Sequence, residues 1–259
     1  MHSNNTPMIH NGILLTDGTE VPKGCARHLA EHGVTIHALV VGPDVPMKDA
    51  TEIASTFQNV PPIVVTKRPD LEPLILDLLQ QNKIEMLFSC YYEYRIRQSL
   101  IDGATYGGIN IHPSVLPYNR GFHSSFWGIL DETPLGATLH WLDEQLDTGD
   151  IIDQALLTDD GVIPASEVRA WSRNQCVELF GRNLPRVLIG KAPRIKQHGP
   201  GSYHFKKDLQ PVVHFDASDT ISLERLMKLG RATSFQENGV YVVSGERKFK
   251  VRILVSEEE

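Results

Sequence analysis

Residues 84–112 have the sequence IEMLFSCYYEYRIRQSLIDGATYGGINIH, and this stretch indicates the fold class. It begins with a short apolar run at residues 84–89, continues with a helical pattern at 94–102 and ends with a second short strand at 108–112. Short apolar strands that alternate with helices are typical of a parallel sheet covered on both faces. Ligands bind beyond the carboxyl ends of such strands, which is where Asn110 and His112 lie.

The same alternation extends back towards the N-terminus. Strand-like runs at residues 13–16, 34–41 and 63–66 alternate with helical patterns at 22–31 and 69–80. We therefore predict an α/β fold with a Rossmann-like, doubly wound and mostly parallel sheet.

The chain beyond residue 112 contains further predicted elements. Helices are predicted at residues 124–130 and 165–188, the second with a break near Gly181, and strands at 136–142 and 151–157. We assign residues 1–198 to one catalytic domain.

Residues 199–259 are predicted to form a small C-terminal appendage, because a Gly-Pro-Gly sequence at 199–201 marks a linker. A short helix at 222–230 precedes a hairpin made of residues 240–243 and 248–255. A two-stranded hairpin alone is marginally stable, so it must pack on the main domain or on another subunit. The apolar side chains on one face of its second strand favour a homodimer contact. These are Phe249, Val251 and Ile253.

Composition disfavours several classes of function. The formal net charge is -7 and the pI about 5.9, which disfavours a large nucleic-acid partner because phosphate contacts need a basic face. The three cysteines form no Cys-x-x-Cys pair, which favours a reducing cytoplasm over a disulfide framework or a zinc knuckle. The polar first residues lack the apolar core of a signal peptide, and no apolar run approaches the ~18 residues that span a membrane.

The polar residues near residue 112 have side chains suited to acyl-type chemistry. Asn110 and His112 lie two apart in a strand and therefore share a face, where an amide can donate to an oxyanion and an imidazole can accept a proton. Asp147 lies in a Leu-Asp-Thr-Gly-Asp turn, in which Gly149 permits a positive φ, and an aspartate there can orient a histidine. Taken alone, the first pair is more typical of an ordinary strand end. The second motif, taken alone, is usually only a turn. Retroviral aspartic proteases also use Asp-Thr-Gly, but their fold is all-β.

Two other patterns give little support for a metal site or a dinucleotide site. His28 and His32 lie four apart on a predicted helix, but no third ligand is evident, so a solvated helix face is favoured over a metal pair. Gly18 and Gly24 do not form the Gly-x-Gly-x-x-Gly fingerprint of dinucleotide-binding proteins.

The combination of motifs is more specific than any one of them. The chain closely resembles the formyl-transferase family in three runs: NIHPSVLP at 110–117, GATLH at 136–140 and LDTGDII at 146–152. The resemblance includes Arg120-Gly121, between the first two runs, and Asp143-Glu144, before the third. That family includes glycinamide ribonucleotide, methionyl-tRNA and sugar-nucleotide formyltransferases.

The resemblance implies catalytic roles for Asn110, His112 and Asp147, and no metal. It also implies that N10-formyltetrahydrofolate is the formyl donor, held largely by backbone groups of two segments. The matching residues are Tyr94, Arg95, Ile96, Arg97, Leu142, Asp143 and Leu146.

Three acceptor classes compete within this family. The tRNA enzymes usually carry a larger basic C-terminal domain, which is missing here, and the purine enzymes usually lack a tail such as residues 199–259. The stretches at 119–127 and 199–209 resemble loops of enzymes that formylate amino sugars on a nucleoside diphosphate. This implies a dTDP- or GDP-linked 4-amino-4,6-dideoxyhexose acceptor for O-antigen or lipopolysaccharide synthesis. The acceptor-binding residues implied are Pro117, Tyr118, Asn119, Arg120, Gly121, Phe122, His123, His204 and Lys206. Charge for a pyrophosphate, or the shape of the acceptor side, would come from Arg120, His204, Lys206 and Lys207. Each of these four is equally typical of a charged surface loop.

Two interpretations outside formyl transfer to an amine stay open. A hydrolase that releases formate from formyl-folate would need an appended regulatory module, and none is evident. A folate- or nucleotide-binding relative without activity is disfavoured because Asn110, His112 and Asp147 are intact.

Overall fold

A computed structural model describes residues 9–65, 71–235 and 239–253. Its strands are β1 (Asn11–Thr16), β2 (Thr35–Val41), β3 (Ile63–Val65), β4 (Met86–Cys90), β5 (Gly108–His112), β6 (Arg120–Gly121), β7 (Leu135–Trp141), β8 (Ile151–Leu157), β9 (Tyr203–His204), β10 (His214–Asp216), β11 (Val240–Ser244) and β12 (Arg247–Val251). Its α-helices are α1 (Glu20–Glu31), α2 (Met47–Ala54), α3 (Leu71–Asn82), α4 (Gln98–Gly103), α5 (Ser124–Leu130), α6 (Ala165–Leu188), α7 (Leu209–Val213) and α8 (Leu223–Ala232), and a single 3₁₀ turn covers Lys206–Asp208.

Within the described residues, seven strands form the central sheet in the order β3-β2-β1-β4-β5-β7-β8. The pairs among β1 to β5 are parallel and the pair β5–β7 is antiparallel. All five residues of β4 are buried, as expected for a strand covered on both faces. The predicted α/β class with a mostly parallel sheet is confirmed.

The chain divides into two compact units. The first contains residues up to His112 together with Thr138–Gln154 and Asn174–Gln197, and the second contains Pro113–Ala137, Ala155–Arg173 and the residues from His198 onward. The predicted boundary between residues 198 and 199 falls beside the start of the last of these segments.

The first unit contains an apolar cluster in which residues of β1, β2, α3 and α4 pack together. The second has its own core, in which Phe126 and Trp127 of α5 pack with Leu229 of α8 and Val240 of β11. The C-terminal helix and hairpin are therefore anchored by burial of apolar surface. Within the part of the chain that the structure describes, no helix is long and apolar enough to cross a membrane.

Several predicted elements need correction. The helix predicted at 94–102 begins only at Gln98, because Arg97 has an extended backbone (φ −75°, ψ 156°). Helix α6 is continuous through Gly181, where a Cβ would overlap the imidazole of His28, so this glycine serves close packing and not a break. The sequence analysis missed α2, α7, β6, β9 and β10, which are short and, for the strands, depend on distant partners.

The C-terminal hairpin is part of a larger sheet. Strand β10 pairs with β11 in parallel and β12 pairs with β11 in antiparallel orientation, so the sheet has three strands. Ile253 packs against the core of the second unit, whereas Phe249 and Val251 are 48% and 39% exposed. Some predicted positions lie outside the described residues. They are residues 254–255 of the predicted strand 248–255, residue 66 of the predicted strand 63–66 and residues 69–70 of the predicted helix 69–80.

Candidate active site

Strand pairing brings the polar residues of the first unit together. In the antiparallel β5–β7 pair, Asn110 lies opposite His140 and His112 lies opposite Thr138. Side chains directly opposite in such a pair are within contact distance. The register therefore adds His140 to the two residues that the sequence analysis identified on β5.

Four side chains form the cluster: Asn110, His112, His140 and Asp147. The amide nitrogen Nδ2 of Asn110 lies 3.1 Å from Nε2 of His140 and donates to Oδ1 of Asp147 at 3.3 Å. The other carboxylate oxygen, Oδ2, lies 3.6 Å from Nδ1 of His112, and Oδ1 lies 3.6 Å from Nε2 of His140. A single carboxylate thus contacts an amide and two imidazoles.

Three of these four side chains are almost entirely removed from solvent, and Asn110 is half-buried. His112 and Asp147 are each 6% exposed, and His140 is 1% exposed. A buried carboxylate is costly unless it is paired or hydrogen-bonded, and the Asn110 amide supplies a hydrogen bond to Asp147. The arrangement can hold an imidazole in a fixed orientation and supply a base and hydrogen-bond donors to one reacting centre.

The turn that carries Asp147 differs from the sequence-based interpretation. The positive φ belongs to Asp147 itself (φ 57°), and Gly149 has no positive φ. A Cβ at Gly149 would overlap the backbone carbonyl of Trp141, so glycine is needed there for close backbone approach. The left-handed backbone conformation costs free energy for a residue other than glycine. Residues held in such conformations are typical of functional sites.

His140 is the member of the cluster that the sequence analysis did not select. It lies in the quoted GATLH run, two residues after Thr138, and the alternation of a strand puts both on one face. Thr138 is also engaged, because its hydroxyl accepts a hydrogen bond from the side chain of Gln154 at 2.9 Å. The pairing partner of His140 could not be read from the chain order alone.

The two segments predicted to hold the donor come together in the first unit. The Arg95 guanidinium donates to the carbonyl of Glu144 at 2.6 Å, and Ile96 and Leu142 belong to one apolar cluster. The ring of Tyr94 packs edge-on against the ring of Tyr92, with the ring centroids 5.5 Å apart. The other three predicted residues lie on the same two segments. Arg97 and Asp143 are exposed there, and Leu146 is half-buried.

The predicted acceptor residues lie together in the second unit. Strand β6 pairs with β9, which brings Arg120 opposite Tyr203 and Gly121 opposite His204. The Phe122 amide donates to the carbonyl of His204 at 2.9 Å, and the Lys206 ammonium lies 4.8 Å above the ring of Phe122. The preceding residues Pro117, Tyr118 and Asn119 continue this loop, in which the Pro117 carbonyl accepts from the Ser202 amide at 3.2 Å.

The two histidines among these residues have different surroundings. His204 stacks on Trp127 with ring centroids 4.0 Å apart, and its Nε2 lies 3.1 Å from a carboxylate oxygen of Asp131. Burial lowers the pKa of His204 below its ordinary value, against the opposing charge of Asp131. The pKa of His123 is lowered by burial and then by the positive charges of Lys206 and Arg169.

A cavity of about 540 Å³ lies near the amino end of β5, opposite to the end that carries His112. Its lining includes Tyr106 and Gly107, just before β5, and Trp141 at the end of the antiparallel β7. None of Asn110, His112 and Asp147 lines it, so it is distinct from the cluster.

No group of three or more His, Cys, Asp or Glu side chains within residues 9–65, 71–235 and 239–253 is arranged to hold a metal ion. On helix α1, Nδ1 of His32 contacts the His28 carbonyl at 2.8 Å and Nδ1 of His28 lies 3.4 Å from Glu31. Both rings are thus engaged in contacts local to the helix.

The sequence profile of the Formyl transferase family matches residues 25–158, which is more than half of the chain and includes Asn110, His112, His140 and Asp147. The chain belongs to the formyl transferase family and is an enzyme that transfers formyl groups.

The names of individual relatives specify the reaction more closely than the family does. The chain is 25% identical over 228 residues to dTDP-4-amino-4,6-dideoxyglucose formyltransferase of Mycobacterium tuberculosis, a match that covers 87% of this chain and 94% of the relative. A 4-N formyltransferase structure from Francisella tularensis is similar with a TM-score of 0.82 and 23% identity, over 96% of this chain and 99% of that one. An N-formyltransferase from Helicobacter canadensis, in complex with folinic acid and dTDP-3-aminofucose, is similar with a TM-score of 0.66 and 19% identity, over 92% of this chain and 85% of that one.

Proposed function

We propose that this enzyme transfers the formyl group of N10-formyltetrahydrofolate to the amino group of a nucleotide-linked amino sugar, such as a dTDP- or GDP-linked 4-amino-4,6-dideoxyhexose. The observation that carries the formyl-transfer chemistry is the cluster of Asn110, His112, His140 and Asp147. A sugar-nucleotide acceptor is supported by the match to dTDP-4-amino-4,6-dideoxyglucose formyltransferase over 87% of the chain, and by the similarity to the Helicobacter structure with bound dTDP-3-aminofucose over 92% of the chain.

In the proposed reaction the acceptor nitrogen forms a bond to the formyl carbon, the bond from that carbon to N10 of the folate breaks, and N10 receives a proton. His112 is the base that takes the proton from the amine. Because Asp147 contacts Nδ1 of His112, proton exchange with the amine runs through Nε2. Such proton transfer typically contributes ~10²–10⁴-fold to the rate.

Asn110 and His112 stabilise the negative charge that develops on the formyl oxygen. The amide nitrogen of Asn110 has two N–H groups, and its two contacts are to His140 and Asp147. An oxyanion that takes a hydrogen bond from Asn110 therefore replaces one of these two acceptors. Donors of this kind typically contribute ~10²–10³-fold.

The donor folate is held by the segments that include Tyr94, Arg95, Ile96 and Arg97 and, across from them, Leu142, Asp143 and Leu146. The ion pair and hydrogen bond between Arg95 and Glu144 support this assignment, because they fix the two segments against each other. The Helicobacter relative supports it as well, because it binds folinic acid, which is a formylated tetrahydrofolate.

The acceptor is held by the loop of residues 117–123 and by His204 and Lys206. Two exposed cations of the second unit, Arg169 and Lys206, supply positive potential for its diphosphate. Arg169 replaces His204 in this role, because His204 is stacked on Trp127 and its pKa is lowered by burial. His204 and Arg120 shape the acceptor side instead.

A homodimer is part of the proposal. Phe249 and Val251 on β12 and Leu223 and Met227 on α8 are large apolar side chains that are 39–78% exposed in the second unit. Large exposed apolar side chains mark a protein interface where they are contiguous. Gel filtration at several concentrations tests this, and a strict monomer contradicts it.

The product serves O-antigen or lipopolysaccharide synthesis, and the enzyme works in the cytoplasm. The free, buried state of Cys25, Cys90 and Cys176 supports a reducing compartment.

The decisive experiment follows the absorbance of N10-formyltetrahydrofolate against a panel of acceptors. The panel contains GDP- and dTDP-linked amino sugars, glycinamide ribonucleotide, and water alone. Fast turnover with one sugar nucleotide supports the proposal and identifies the acceptor. Formate release without an amine indicates a hydrolase, and turnover with glycinamide ribonucleotide alone indicates a purine enzyme.

A further inference from the structure

Five consecutive residues after helix α6 contact the segment between Trp141 and Ile151, and we name residues 193–197 the strap. The Pro193 carbonyl accepts from the Trp141 indole at 2.8 Å, and the Arg194 guanidinium lies 3.8 Å above the same ring. Ile195 and Ile151 exchange two backbone hydrogen bonds of 2.7 and 3.0 Å. The strap therefore runs along the segment that carries Asp147.

The last two strap residues contact the turn itself. The Lys196 ammonium lies 2.9 Å from Asp150, in an exposed ion pair of little expected strength. The side-chain amide of Gln197 donates to the carbonyl of Asp147 at 2.9 Å and to the carbonyl of Gly149 at 2.8 Å. These two carbonyls flank Thr148, so one side chain bridges the turn on both sides.

The bridge lies where the backbone is strained. Asp147 has a φ of 57°, and a non-glycine residue in that region persists only when its surroundings hold it there. Gln197 binds the carbonyl of Asp147 itself, so loss of the amide removes a direct restraint on this conformation. A change in the backbone at Asp147 moves its carboxylate away from His112 and His140.

We propose that Gln197 is a positioning residue for the formyl-transfer reaction. Its amide holds the carbonyls of Asp147 and Gly149 and thereby keeps the Asp147 carboxylate in contact with His112. This inference rests on the role given to Asp147 in the proposed function.

The test compares two substitutions with different chemistry. Gln197→Ala removes both hydrogen bonds, whereas Gln197→Glu keeps the shape but presents carboxylate oxygens, which cannot donate, to two carbonyl oxygens. Gln81→Ala is the matched control, because Gln81 is an exposed glutamine whose amide bonds Asp77 on helix α3. Each variant is also made in an Asp147→Asn background.

We expect Gln197→Ala and Gln197→Glu to lower kcat by ~10- to 100-fold, since a displacement of about 1 Å at a reacting group can cost ~10²-fold. KM for the folate and for the acceptor should stay within about twofold, and Gln81→Ala should match wild type. In the Asp147→Asn background the Gln197 substitutions should have no further effect, because contacts that act through one residue are non-additive.

A second readout does not depend on turnover. NMR spectra of the protein labelled in its histidine rings should show that Gln197→Ala shifts the signals of His112 and His140 in the wild-type background and leaves them unchanged in the Asp147→Asn background. A merely structural role predicts a lower Tm and equal effects in both backgrounds, which would overturn the proposal. If Asp147→Asn retains kcat, the proposed role of Asp147 fails and the inference fails with it. If Asp147→Asn is inactive but Gln197→Ala retains kcat, the inference alone fails.

Discussion

The amide nitrogen of Asn110 lies 3.1 Å from Nε2 of His140, the residue directly opposite it across strands β5 and β7. An amide nitrogen only donates, so Nε2 of His140 accepts and the proton of the neutral ring lies on Nδ1. That nitrogen is 2.8 Å from the carbonyl of Trp141, to which it donates. A backbone carbonyl thus sets the tautomer of His140, and His140 in turn orients the amide of Asn110.

Replacement of His140 should therefore impair the reaction although the sequence motif Asn-x-His is intact. We expect His140→Ala to lower kcat by ~10²-fold, because Asn110 and Asp147 lose a shared neighbour and shift. Steady-state kinetics at saturating substrates measure this, with the exposed His10→Ala as control. A kcat within twofold of wild type would show that His140 has no part in orienting Asn110.

His112→Asn should abolish the base while leaving the fold intact. Asparagine is smaller and still polar at this buried position, so we expect a Tm close to that of wild type and a loss of ~10²-fold or more in kcat. Thermal denaturation and the formyl-transfer assay measure the two quantities. Retention of more than about a tenth of the rate would mean that another group is the base.

Gly149→Ala should disrupt the turn that carries Asp147. The added Cβ overlaps the carbonyl of Trp141, so the backbone must move, at a cost of about 2–3 kcal/mol or more in the free energy of unfolding. Gly161→Ala is the control: Gly161 has a positive φ but open space around it, so its cost is about 1–2 kcal/mol. Urea denaturation measures both, and an equal loss in the two variants contradicts the close approach.

Lys206→Ala should weaken binding of a nucleoside diphosphate but not of the folate. Loss of one charge-assisted contact typically costs ~1.5–3 kcal/mol, so we expect Kd for dTDP or GDP to rise by about tenfold or more. Isothermal titration calorimetry with the nucleotide and with folinic acid measures the two affinities, and Lys48→Ala on helix α2 is the control. Equal weakening for both ligands contradicts a specific role at the acceptor diphosphate.

The titration of His123 should report on the same cations. Burial and the charges of Lys206 and Arg169 lower its pKa, so the ring loses its proton at a lower pH than an exposed histidine does. Lys206→Ala removes one of these charges and should raise the pKa of His123, and a bound diphosphate should raise it further by adding negative charge. NMR titration of the ring measures the change, and a fall in the pKa on nucleotide binding contradicts the assignment.

The fold class and three members of the cluster could be predicted from the sequence, because both depend on local pattern. Short apolar runs alternating with helical periodicity predict a parallel sheet, and Asn110 and His112 share a face through the two-residue period of a strand. Asp147 was found through the Leu-Asp-Thr-Gly turn and its resemblance to the family. In each case the informative residues are neighbours in the chain.

Only the tertiary structure decided what those residues contact. His140 joins the cluster through the register of β5 against β7, and Gln197 reaches the turn from a strap about 50 positions further along the chain. The positive φ at Asp147 and the backbone approach at Gly149 likewise depend on Trp141 and Gln197. Contacts between residues far apart in the chain cannot be predicted from a local periodicity of the sequence. The sequence therefore determined the chemical groups of this site, and the packing of distant segments determined their geometry.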